Sequence, residues 1–140
     1  MISVPEIRIG LAVTDNMSGR EYAAQVYKDL LKRGCAEGNI TLKYVPDAFD
    51  LPLGTLFFAE YTDVDCVVAV SDEYDAVVAK ELLELQIQWN MPIEYVHAER
   101  LQGGDNITYM VQLQSEMAGE ITEEQGCAPT PPQIRKESIN

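Results

Sequence analysis

"VDCVVAV", residues 64–70, is the stretch on which the fold turns. Its last five residues are apolar without a break, and three of them are β-branched valines. A strand that faces water on one side alternates polar and apolar residues. An unbroken run suits a strand buried on both faces, as in a parallel sheet covered by helices. That reading requires further strands beside it and helical crossovers between them.

Both are found on working outward. "IRIGLAV" (7–13), "ITLKYV" (40–45) and "PIEYVHA" (92–98) read as strands. Between the first two lies "SGREYAAQVYKDLLKRG", with Ala23, Val26, Tyr27, Leu30 and Leu31 at helical spacing. Ser18 and Glu21 suit a capping box there, and Gly34 a stop. "LPLGTLFFAEY" is helical, with Pro52 accommodated in its first turn. "DEYDAVVAKELLELQIQWN" places Val78, Leu82, Leu85 and Trp89 on one stripe. "DNITYMVQLQSEMAGE" is expected to turn Ile107, Met110, Leu113 and Met117 inward. The order βαβαβαβα predicts a three-layer α/β/α sandwich around a four-stranded parallel sheet, in the flavodoxin-like order 2-1-3-4. One domain is expected over residues 1–120, with a polar, Pro-containing tail over 121–140.

Composition bounds the function. The 140 residues are 46% hydrophobic and 24% charged, enough for one globular core. A net charge of −13 repels phosphate backbones and anionic lipid, so neither nucleic acid nor membrane is expected as a partner. That charge also fits a salt-rich cytoplasm. No secretory signal is read at the start, so a cytoplasmic protein is expected. Cys35, Cys66 and Cys127 stand far apart and read as reduced thiols. His97 is the chain's one histidine, which excludes a His-rich metal site within one chain.

In parallel sheets of this kind ligands bind beyond the carboxyl ends of the strands. The residues there are Asp15 and Asn16 after strand one, and Ala48, Phe49 and Asp50 after strand two. Ser71 and Asp72 follow strand three, and His97 closes strand four. Each has a plainer role open to it. Asp50 and Asp72 could cap helices, His97 could be a packed histidine, and Phe49 a plug over the sheet end. No tightly bound cofactor is expected, although the carboxylates at one rim could attract Mg²⁺. The prolines at 46 and 52 brace the peptide between them and hold its amides outside regular pairing. Such an edge beside an aromatic face suits a flat heterocycle with a polyol arm.

"VPDAFDLPL" (45–53) resembles the V-P-G-A-F-E-L-P stretch of lumazine synthases and the V-P-G-x-K-D-L-P stretch of archaeal-type riboflavin synthases. "DCVVAV" is similar to their D-x-V-x-A-L strand, and "PIEYVHAE" to the I-I-E-V-F-V-H-E segment of the archaeal branch. "DNITYM…EMAGEITEEQG" resembles that branch's N-V-Y-Y-L…M-A-G-x-G-x-R-Q-G ending. The resemblance implies ligand binding by Ala48, Phe49 and Asp50, and pocket closure by Ser71 and Asp72. It also implies that Asn16 or Met17 occupies the first loop, and that pentamers carry pockets between subunits. Three departures stand out. Asp47 replaces the motif's glycine, the first-loop aromatic is missing, and "VSDEYDAVV" lacks the Gly-rich anion loop of lumazine synthases. With no basic residue at that corner, sugar-phosphate binding is not expected. The activity implied is riboflavin-synthase-type dismutation of two 6,7-dimethyl-8-ribityllumazines. The alternative is a degenerate relative that binds lumazine or flavin, or serves assembly, without turnover. A receiver-like signalling domain is a third reading, but it lacks the acidic pair after strand one and a fifth strand with its lysine.

Overall fold

The computed structural model describes the backbone of residues 1–125, with side chains except at 103–105 and 120–125. The elements in chain order are β1 (Ile9–Thr14), α1 (Met17–Lys32), β2 (Ile40–Val45), α2 (Leu51–Tyr61), β3 (Cys66–Val70), α3 (Ala76–Trp89), β4 (Ile93–Val96) and α4 (Gly103–Gln125). The four strands form one all-parallel sheet in the order β2-β1-β3-β4. Val13 stands beside Val70, and Val70 beside Val96. The expected α/β sandwich is therefore the fold.

Period-two alternation divides the sheet into two cores. Ile9, Leu11 and Val13 of β1 pack with Ala23, Val26 and Leu30 of α1 and with Ile107 and Val111 of α4. On the opposite face, Ala12, Val67 and Ala69 meet Leu51 and Phe58 of α2 and Val78 and Leu82 of α3. Every residue of β1 and of β3 is buried, as the unbroken apolar run required. Each fully buried aliphatic side chain is worth roughly 1.5–3 kcal/mol of transfer free energy. Gly10 is needed for a close approach: a Cβ there would lie 2.8 Å from ring carbons of Phe58. α2 can settle on β1 only because that position has no side chain.

Four details depart from the sequence reading. The α1 cap is Asn16, whose side-chain oxygen accepts the Gly19 N–H at 2.7 Å, so the Ser18–Glu21 box does not open the helix. Leu31 of α1 is exposed. In α4 the buried row is Ile107, Thr108 and Val111, while Met110 and Met117 are exposed. Thr108 and Val111, at i+1 and i+4 from Ile107, complete the buried side, and Met110 lies outside it. Finally, α4 continues to Gln125, over the first five residues of the stretch read as a tail; the rest of that stretch lies outside the described residues.

The edge strand β2 is unlike the others. None of its six residues is buried, because α2 packs over β1 and β3 and touches β2 only lightly.

Candidate functional site

At the carboxyl end of β1 the Asp15 N–H donates to the Val45 carbonyl at 2.9 Å, which ties the ends of β1 and β2 together. The Asp15 carboxylate takes the Arg20 Nε–H at 3.0 Å, and the Arg20 guanidinium lies 4.9 Å from the centre of the Tyr44 ring. Bonding to Asp15 raises the Arg20 pKa above its ordinary value. Asn16 is spent on its capping bond. Neither of these two candidates is therefore a bare ligand group.

After β2 the chain enters the proline-braced turn. Asp47, at the position of the family glycine, has φ −146° and ψ 160°. This is extended backbone, so no left-handed turn is needed and aspartate is tolerated there without strain. Its N–H donates to Asp50 Oδ2 at 3.1 Å, and the Asp50 N–H donates to the Asp47 carbonyl at 2.9 Å. These bonds close residues Ala48–Asp50 into a 3-10 turn. Asp50 is thus a local staple at the start of α2. The Ala48 and Phe49 N–H groups have no hydrogen-bond partner among the described residues, and the Phe49 ring is 63% exposed.

The ends of β3 and β4 form a second group. Ser71 is fully buried; its hydroxyl lies 2.7 Å from the Glu73 carbonyl and 2.9 Å from the Tyr95 hydroxyl. Tyr95 Oη also accepts the Asp75 N–H at 3.3 Å. The loop from Ser71 to Asp75 is therefore pinned onto one phenol. Asp75, not Asp72, caps α3, accepting from Val77 and Val78. The Asp72 carbonyl accepts the Ala98 N–H at 3.2 Å. His97 is buried, with its ring centre 5.1 Å from those of Tyr74 and Tyr95. Its Nδ1 accepts the Glu99 N–H at 3.3 Å, so the neutral ring carries its proton on Nε2. Burial lowers the His97 pKa, with Arg100 adding to the effect and Glu99 opposing it.

The eight candidates thus separate into one group at the ends of β1 and β2 and another at the ends of β3 and β4. The ends of β1 and β3 lie side by side, Val13 next to Val70, but no hydrogen bond or ring contact among the described residues joins the two groups. A cavity lies along another part of the sheet. A groove of about 490 Å³ runs down the open flank of the sheet, between β2 and α2. Pro46 and Asp50 stand at its upper end, Lys43 and Phe57 along it, and Tyr61 at its foot. Its walls are overwhelmingly apolar. Gly54 lets the walls meet, since a Cβ there would lie 2.9 Å from Val45 Cγ1. Of the eight candidates only Asp50 lines this groove. Leu53, Phe57 and Tyr61 were missed, although a signal existed: α2 is apolar nearly all round, and such a helix needs cover on every side.

Among the described residues, no three His, Cys, Asp or Glu side chains converge so as to hold a metal ion. At the rim, the Asp15 carboxylate accepts from Arg20 and the Asp50 carboxylate from the Asp47 amide. No helix among the described residues is long and apolar enough to cross a membrane. No protein-family model matches the chain, and no curated protein sequence matches it.

Proposed function

We propose that the chain binds a ribitylated lumazine or flavin at the upper end of the β2–α2 groove and acts there as a riboflavin-synthase-type dismutase. One observation carries this reading: a groove of drug-like size opens beside a proline-braced turn whose Ala48 and Phe49 amides have no partner within the described chain. The ring would lie against Val45 and Pro46, beside Gly54. The ribityl hydroxyls would accept from the two amides and donate to Asp50. An uncharged ligand suits a protein of net charge −13. Dismutation needs a second lumazine stacked on the first, and a neighbouring copy would supply that wall, in line with a homo-oligomeric, cytoplasmic protein. Its chemistry is removal of a proton from a ring methyl and passage of a four-carbon unit between the two rings.

Binding without turnover is the second reading, and the placement of His97 favours it. The only imidazole lies at the β4 end of the sheet, while the ionisable groups lining the groove are Lys43, Asp50, Tyr44 and Tyr61. A titration with 6,7-dimethyl-8-ribityllumazine, followed by ligand fluorescence and then by riboflavin formation, tests both. Saturable binding is expected, weakened at least tenfold by Gly54→Val, whose side chain would press on Val45 and distort the groove. Riboflavin formation selects the enzyme, and binding alone selects the second reading. Absence of saturable binding removes both.

A further inference from the structure

The α2 side of the groove is an apolar ridge. Leu53, Phe57 and Tyr61 recur every fourth residue and are 51%, 49% and 72% exposed. The Phe57 and Tyr61 rings are 6.0 Å apart. At 1.5 Å per residue this ridge is about 12 Å long. Opposite it runs β2. The Val45 carbonyl faces β1, so by alternation the backbone groups of Leu42 and Tyr44 face outward along the edge. Aromatic-lined grooves of this shape take proline-rich segments, whose extended helix pays little ordering entropy on binding.

The chain carries such a segment beyond the described residues. Residues 129–132 read Pro-Thr-Pro-Pro, followed by Ile134, Arg135 and Lys136. In polyproline II form residues 129–133 would span about 12 Å, the length of the ridge. Residues 129–137 hold two basic residues, Arg135 and Lys136, and one acidic residue, Glu137, so this segment is net positive on an acidic protein. Asp50 and Lys43 line the groove, and Asp47, Glu60 and Asp63 are close to its lining residues along the chain, so carboxylates outnumber cations around it.

Reach decides which copy's groove is filled. α4 lies against β3, β4 and α1, on the face opposite α2. Four peptide steps separate Gln125 from Pro129, a reach of about 14 Å. Passing from the α4 layer through the sheet to the α2 layer takes about 20 Å before any sideways travel. We propose that the Pro-Thr-Pro-Pro segment of one copy docks on the Leu53–Phe57–Tyr61 ridge of a second copy. The inference stands apart from the ligand reading, because ridge and segment exist whatever heterocycle binds above them.

The test places a photo-crosslinking amino acid at Gln133 of the full-length chain and mixes it with ¹⁵N-labelled, otherwise unmodified chain, with no lumazine present. The expected result is a cross-link from the unlabelled segment to labelled peptides covering residues 53–61. The surface variant Phe57→Ser with Tyr61→Ser in the labelled chain should cut that yield at least tenfold. Links confined to one chain, links elsewhere on the partner, no links, or links indifferent to the double substitution would each overturn the proposal. A chain that fails to bind lumazine yet gives the expected links would sink the ligand reading alone.

Discussion

His97 shows how burial turns a titratable residue into a sensor of pH. Its ring is packed against Tyr74 and Tyr95, and Nδ1 is committed to the Glu99 amide. Protonation would strip that bond and place a charge in a poorly solvated site, so its folded pKa falls below the ordinary 6.5. The sign follows from proton linkage. Below 6.5 the unfolded chain takes up a proton that the folded chain refuses, so stability falls as the pH drops through that window. Glu94 acts in the opposite sense: burial raises its pKa above 4.5, so its contribution is present at low pH and is lost as the pH rises through the folded value. Urea unfolding at pH 7.5 and 5.5 should therefore show a loss of stability on acidification that His97→Gln largely abolishes. An unchanged pH slope in that variant would show that the imidazole is not the sensor.

At the scale of elements, the sheet was legible because its signal is local. ITLKYV and CVVAV declare themselves by alternation and by its absence, and both became strands within two residues of the expected bounds. Helix caps were less legible. Asn16 and Ser18 are both good capping residues, and the winner was decided by where β1 ends. The candidate site was least legible, because the groove is a relation between β2 and α2 rather than a property of either. One contact sets that relation on the core side. Gly10→Ala would push a methyl into the Phe58 ring, and overpacking of this kind costs about 1–3 kcal/mol. Denaturant midpoints should show that loss, and Phe58→Leu in the same chain should recover part of it as a non-additive term. Full additivity of the two changes would mean that α2 shifts freely over β1.

For the whole molecule, charge is the dominant global term. A net charge of −13 on 140 residues makes the folded state repel itself. Raising salt from about 0.1 to 1 M shortens the screening length from about 10 to 3 Å. The thermal midpoint should rise by several degrees over that range, as followed by circular dichroism in NaCl. A midpoint that stays level or drops would place the dominant electrostatics in attractive pairs such as Arg20–Asp15 and Arg100–Glu94.

By itself the amino-acid sequence determined the alternation of strands and helices, the parallel pairing and the burial of the central strands, since these follow from periodicity and from how many faces a segment must hide. Only the tertiary structure decided which carboxylates are spent on Arg20 and on the turn amides, which residue caps α1, and that the open space lies along the β2 flank. The reason is physical: periodicity is carried by neighbours along the chain, whereas a cavity or an engaged charge depends on groups that folding brings together from distant positions.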